Sequence, residues 1–452
     1  MKHFSLLILM LLAAWAVQAQ DTAKAGDAAL GTQPYDKYQT PKACAVCHVD
    51  IARQHEQAMM SQAFTHAWDE IEYFELAVPH AAKEPKVAGV KAGCNGCHAP
   101  LAFLAGDIPP KPPSENTRAN EAVSCDLCHT ITGFQGDTPF NFNWVSSPGK
   151  TKQGPRATSV MSPFHQIAEN PFLRSAEFCG TCHNEKDPWG LWVKSTQLEW
   201  KEGPQGKGGI VCQDCHMPPA AGLSATMGGP IPDVRQHLFH GAHDAAKLAG
   251  CVEVRIHPKT REAEPEETVK LTAVVVNAKA GHKIPSGSAE ERVVWLDIEA
   301  KDSKGKSWHI PIDKKGFDGE DYTIASDTAM AYQDIGDIKG IDGFPGLKRD
   351  GMVRAGDRIF RLPYLDPKGR MTIAQWNTAS FGPDYRLAPL KAVSENATWK
   401  LPADVEPGPV LITARIYYSR LVSSVAEYLK VPREEYEPVL VSEHTTTLTV
   451  LP

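Results

Sequence analysis

Ten of the eleven cysteines stand in five copies of one frame: Cys44-Ala-Val-Cys47-His48, Cys94-Asn-Gly-Cys97-His98, Cys125-Asp-Leu-Cys128-His129, Cys179-Gly-Thr-Cys182-His183 and Cys212-Gln-Asp-Cys215-His216. The intervening pair changes every time, whereas Cys-x-x-Cys-His does not. One accidental match has a probability on the order of a per cent, so five are not chance. Two thiols three positions apart can each form a thioether with one vinyl group of a haem. The histidine directly after them then presents its imidazole to the iron from the same side. This is the attachment signature of c-type haem, and it predicts five covalently bound haem c groups. The ten motif cysteines are the attachment points, and His48, His98, His129, His183 and His216 are the proximal iron ligands. A zinc site does not call for a histidine after every pair. A thioredoxin-like pair would occur once, within a βαβ pattern. Five short-range disulfides would leave the recurring histidine without a reason.

The sixth ligand of each iron decides the chemistry. An iron with two strong protein ligands passes electrons, and one with an open or weakly held position can bind a substrate. Outside the signal and the motifs, histidines stand at 55, 66, 80, 165, 237, 240, 243, 257, 282, 309 and 444. The cluster "RQHLFHGAHD" supplies His237, His240 and His243 just after the last motif. His165 in "SPFHQI" precedes the fourth motif by enough chain to fold back, and His282 in "AGHKIPSG" sits in a Gly/Pro-constrained turn. A lone histidine is more often a surface or core residue, but five irons to ligate raise the chance that several of these serve.

The elements that must hold these residues differ between the two parts of the chain. Its 452 residues suggest two or three domains. The first 20, MKHFSLLILMLLAAWAVQAQ, read as a secretory signal, with a retained N-terminal anchor as the competing reading. No cysteine follows it to carry a lipid, and no later stretch is long and apolar enough to cross a bilayer. The formal charge of −7, without a Lys/Arg-rich block, argues against nucleic acid as a partner. Residues 21–248 carry the motifs between Pro- and Gly-rich segments, with weak periodicity apart from helical stretches such as Asp50 to Trp68 and Asp69 to Ala82. Such a segment cannot build an ordinary core, so it is expected to wrap short helices and loops around its haems and not to fold without them. Residues 249–452 alternate β-branched runs with turns such as "DSKGK" and "VEPGP". The expected fold is α+β and multidomain: a mostly helical and irregular pentahaem domain, then an all-β, immunoglobulin-like sandwich. Cys251, the eleventh cysteine, is expected to be a buried core thiol.

The chain resembles the multihaem c-type cytochromes grouped around the tetrahaem cytochrome that accepts electrons from hydroxylamine oxidoreductase. The resemblance rests on "CAVCHVDIARQ", "SCDLCHTITG", "FCGTCHN", "VCQDCHMPP" and "RQHLFHGAHD", and on the "GHKIPSG" turn followed by "ERVVWLDIEAKDSKGK". It spans nearly the whole mature chain. It implies His165, His237, His243 and His282 as distal ligands. It also implies a distal histidine shortly after the first motif, where "QAMMSQAF" instead places Met60. A methionine thioether can ligate haem iron and raises its potential relative to a second imidazole, whereas a core filler is the usual use of methionine. If Met60 does not ligate, either His66 reaches the iron instead or the site stays open, and His80 and His240 are in reserve. The expected function is electron transfer through mostly six-coordinate haems, in the periplasm or at the outer cell surface, as in anaerobic respiration. The expected partners are other cytochromes or a quinol-oxidising membrane cytochrome, and an oligomer is compatible with this. The alternative is an oxidoreductase acting on a small nitrogen or sulfur compound at one open haem.

Overall fold

The computed structural model describes residues 27–157, 161–314 and 330–452; the expected signal segment, residues 1–20, lies outside them. The chain forms two compact units. One comprises the residues up to Glu70, Gly89–Glu185 and Val211–Phe239; the other comprises Ile71–Ala88, Lys186–Ile210 and His240–Pro452. Among the described residues, no helix is long and apolar enough to cross a membrane.

In the first unit each cysteine motif falls in or against a short helix: Pro41–Ala45, Val90–His98, Cys125–Cys128, Ala176–His183 and Cys212–His216. One helical turn puts positions three apart on the same face, so both sulfurs of a motif point one way. Local chemistry starts these helices. Thr40 Oγ1 accepts from the Ala43 N–H ahead of Pro41, Ser175 Oγ accepts from Phe178 N–H, and Asp214 Oδ2 accepts from Val211 N–H at 3.0 Å; such caps satisfy otherwise orphaned donors. The expected helix from Asp50 to Trp68 is broken. Val49–Glu56 stops, Ala58 is extended, and Met59–Gln62 begins anew. The Ser61 hydroxyl, within hydrogen-bond reach of the carbonyls of both Glu56 and Ala58, ties down this break. The next stretch, which belongs to the second unit from Ile71 on, is helical from Ala67 to Lys83, with a π-helical middle at Glu72–Ala77. Among the described residues, an apolar cluster of the first unit is formed by Tyr38, Leu101, Phe103, Leu104, Leu127, Ile131, Phe142 and Trp144.

The second unit is built mainly on strands: β1 (Val252–Pro258), β2 (Thr268–Asn277), β3 (Val293–Lys301), β4 (Ser307–His309), β5 (Arg358–Phe360), β6 (Ala392–Lys400), β7 (Gly408–Ser419) and β8 (Val439–Val450). One antiparallel sheet runs β6-β2-β1. The other runs β8-β7-β3-β4, with β5 also on β3 and the two-residue strand Glu262–Ala263 parallel to β8. Alternation along β1 and β2 sends Val254, Ile256, Leu271 and Val275 inward, where they meet Leu296, Ile298, Ile412 and Ile416 of the other sheet in one core. Cys251 lies in this core, 7% exposed, and burial pushes its thiol up to about 11. The molecule is thus a mixed α+β protein.

Two substitutions test these accounts. Gly93 and Gly96 share the helix Val90–His98, but a Cβ at Gly96 would come within 2.3 Å of the Phe142 ring, whereas one at Gly93 meets nothing within 4 Å. Gly96→Ala is expected to cost about 1–3 kcal/mol through overpacking, and Gly93→Ala to gain up to about 1 kcal/mol in helix propensity, both read by denaturant unfolding of the holoprotein. In the second unit Asp334 is 1% exposed; its Oδ2 accepts from the Thr372 hydroxyl and from Asn377 Nδ2, while Oδ1 has no partner among the described residues. Burial, aided by the nearby Asp366 charge, pushes its carboxyl up to about 6 from the ordinary 3.8, against the Thr372 hydrogen bond. The folded state therefore holds this proton more tightly. The resulting stability is complete below pH 4 and is lost as pH rises through about 6. Asp334→Asn should gain about 1–3 kcal/mol at pH 7 and nothing at pH 3.5, flattening that part of the pH–stability curve.

Candidate haem-attachment sites

The five motifs lie together in the first unit. The thiols of Cys44 and Cys125, of Cys97 and Cys182, and of Cys179 and Cys212 lie near enough to shift one another's ionisation, and Cys97 Sγ is 4.0 Å from the Cys182 carbonyl oxygen. Cys128 is close enough to Cys182 for their charges to interact. The first motif therefore adjoins the third, the second adjoins the fourth, the fourth adjoins the fifth, and the third approaches the fourth. Among the described residues the cysteines form no disulfide.

Two proximal histidines face a second histidine. The rings of His48 and His165 have centroids 6.2 Å apart and planes 27° apart; those of His129 and His237 are 6.3 Å and 26° apart. Two imidazoles on one metal, each nitrogen about 2 Å from it, have centroids roughly 6 Å apart.

The other ring nitrogen shows how these histidines are prepared. Nδ1 lies 2.5 Å from Ser224 O in His48, 2.7 Å from Gln153 O in His129, 3.1 Å from Gln166 O in His165 and 2.9 Å from Arg235 O in His237. A carbonyl only accepts, so Nδ1 carries the hydrogen and donates it. Nε2 is left with the lone pair, the arrangement seen in metal-ligating histidines. Burial, together with the neighbouring His129, pushes His237 down to about 4, which also favours the neutral ring. These residues fit an iron held between paired imidazoles.

His98 is prepared differently. Its Nδ1 is 2.8 Å from Ala63 O and 3.0 Å from Asp69 Oδ1, and Asp69 Oδ2 is 3.0 Å from His66 Nδ1. Burial raises the Asp69 carboxyl, but the hydrogen bonds from His66 and His98 outweigh it and hold the group well below the usual carboxylate range. Sequence reasoning did not single out Asp69. Its spacing of three from His66 is a readable helical pair, but the contact with His98 requires the tertiary fold.

Met60 is half-buried in the helix Met59–Gln62, its carbonyl accepting from Val123 N–H at 3.2 Å. His183 and His216 end the helices that carry their cysteines. In the second unit, His282 donates Nδ1–H to Lys283 O at 2.8 Å, again leaving Nε2 with the lone pair, and His243 Nε2 stands 3.9 Å from Glu435. Three other histidines have the reverse arrangement. His55 donates from Nε2 to Val123 O at 2.9 Å. His80 Nδ1 accepts from Trp376 Nε1–H at 3.1 Å, and His444 Nδ1 accepts from Ile256 N–H at 3.2 Å. The proton on Nε2 sets these three apart from the paired histidines.

No family model matches the chain, and no curated protein matches it. Among solved structures, the penta-haem cytochrome c552 from Thermochromatium tepidum is 20% identical and covers 92% of this chain and 100% of its own, with a TM-score of 0.61. The sporulation control protein Spo0M from Bacillus subtilis is 11% identical, covering 45% of this chain and 50% of its own, with a TM-score of 0.18. A collagen-binding domain of a Staphylococcus aureus adhesin is 8% identical, covering 43% and 96%, with a TM-score of 0.14. The last two scores carry no argument. The first shows that the chain shares its fold with a penta-haem cytochrome c.

Proposed function

We propose that this chain is an exported pentahaem c-type cytochrome that carries electrons between redox partners. The observation that carries this reading is the pair of histidine–histidine arrangements, 6.2 and 6.3 Å between centroids, each built on a motif histidine. Bound haem supplies a one-electron iron couple, and the chain's part is to attach it, ligate it and exclude competing ligands. The cysteine pairs attach five groups, with His48, His98, His129, His183 and His216 proximal. His165 closes the first site and His237 the third. His243, His282 and Met60 are assigned among the remaining distal positions. The nearness of thiols in different motifs supports close, sequential sites, as hopping between carriers requires.

The kinship with the tetrahaem acceptor of hydroxylamine oxidoreductase is part of the same proposal, resting on the sequence stretches quoted above. So is an immunoglobulin-like sandwich. Strands β6-β2-β1 against β8-β7-β3 follow the order in which three strands of one immunoglobulin sheet face three of the other. A periplasmic or cell-surface location, domain limits at residues 20 and 248, and partners among other cytochromes or a quinol-oxidising membrane cytochrome complete the proposal.

Low-temperature electron paramagnetic resonance on the oxidised holoprotein, with haem content by pyridine haemochromogen, tests it. The expected result is five covalent haems, all low-spin. His165→Gly should convert one of the five signals to high-spin, while His55→Gly should convert none. A wild-type high-spin iron that binds nitric oxide or cyanide would replace the carrier reading with an oxidoreductase. Absence of covalent haem would overturn both.

A further inference from the structure

Three proximal histidines have their Nδ1 partners in view, and two of these partners are neutral peptide carbonyls, Ser224 O for His48 and Gln153 O for His129. His98 alone of these three adds a carboxylate, with Asp69 Oδ1 at 3.0 Å beside the Ala63 carbonyl at 2.8 Å. Asp69 is held from its other side by His66 Nδ1 at 3.0 Å and is only 21% exposed, so water does little to screen it. It sits in the first turn of the helix Ala67–Ile71, which limits its reorientation.

An imidazole whose Nδ1–H is given to an anion is a stronger donor through Nε2 than one bonded to a carbonyl. A stronger donor, with a fixed negative charge behind it, stabilises the ferric over the ferrous state, and second-shell hydrogen bonding is one of the levers by which a protein sets a haem potential. Reduction here adds one electron to the iron, breaks no bond and leaves the proton on Nδ1; the electron comes from the redox partner proposed above.

Resting on the pentahaem reading, we infer that Asp69 is a positioning residue that lowers the reduction potential of the second site below those of the carbonyl-supported first and third. The neighbouring thiols give this a direction. Cys97 of the second motif adjoins Cys182 of the fourth, which continues through Cys179 to Cys212 of the fifth. A low-potential site beside the fourth motif is where electrons enter from a strongly reducing partner and from which they run on to the other sites.

The test is a spectroelectrochemical titration of the full-length holoprotein and its Asp69→Asn variant, with haem content measured on each. Expected are five haems in both and one potential raised by at least a tenfold change in the reduction equilibrium, about 59 mV for one electron, the other four staying in place. A merely structural role would shift several potentials or none. Five haems with no potential moved by that much overturns the assignment to Asp69 while leaving the pentahaem reading intact. Wild-type protein without covalent haem overturns that reading and this inference together. Should Asp69→Asn not accumulate with its haems, His66→Phe supplies the test with opposite sign. Removing one donor from the carboxylate concentrates its charge on His98, so the same potential must fall, and a potential that stays or rises refutes the inference.

Discussion

A histidine can offer a metal only one of its ring nitrogens, and the hydrogen on the other must be accepted by something. In this protein that acceptor is mostly a peptide carbonyl. A carbonyl cannot donate back, so each one sets a tautomer as well as an orientation. The carbonyls do not come from the motifs themselves. Ser224 is 176 residues from His48, Ala63 is 35 from His98 and Gln153 is 24 from His129. The five short frames are local, but their readiness to ligate is a property of the folded chain. The loops between motifs, which look featureless in composition, are what supply it.

The two units reach stability by different routes. The sandwich has two sheets; alternation drives Ile256 and Leu271 inward, where they meet Leu296 and Ile412 of more continuously buried strands, none of the four measurably exposed. Among the described residues of the first unit, one apolar cluster gathers eight buried side chains, spread around helices mostly one or two turns long. Isolated helices of that length are marginal in water. Its order therefore leans on capping bonds, on the backbone contacts of the loops and, in the proposed holoprotein, on the apolar faces and covalent tethers of the haems. In keeping with that difference, three of the five motif helices begin with Thr40, Ser175 or Asp214 capping interactions rather than with long amphipathic runs.

Much of this was legible in the sequence. The Cys-x-x-Cys-His frames stand out because the chemistry needs adjacent residues, and the strands stand out because the period of two persists over many residues. Pairing of His165 with His48 and of His237 with His129 was within reach only as a set of candidates. The rest was hidden for a physical reason. His55, His80 and His165 are equal as letters, and they differ by which nitrogen meets a carbonyl or an indole N–H, a contact made across the fold. The break at Ala58 was hidden too, since neither proline nor glycine marks it and the Ser61 hydroxyl that ties it down reads as an ordinary helix residue. That break is what turns the "QAMMSQAF" stretch so that Ala63 offers its carbonyl to His98. Whatever Met60 does at an iron, its segment already serves the second motif through the backbone.

The contacts among motifs also explain why the five cannot be treated as equivalent beads. Sulfur neighbours run from the first to the third motif and from the second and the fifth to the fourth, with the third approaching the fourth through Cys128 and Cys182. The fourth motif is the branch point. Sites at the ends of such a branched series can differ in ligand or in second-shell charge without interrupting traffic between the others. A branch point must keep a potential accessible to all its neighbours. In the proposed holoprotein, a charged carboxylate behind His98, at an end of the series, is therefore compatible with conduction through the remaining four sites.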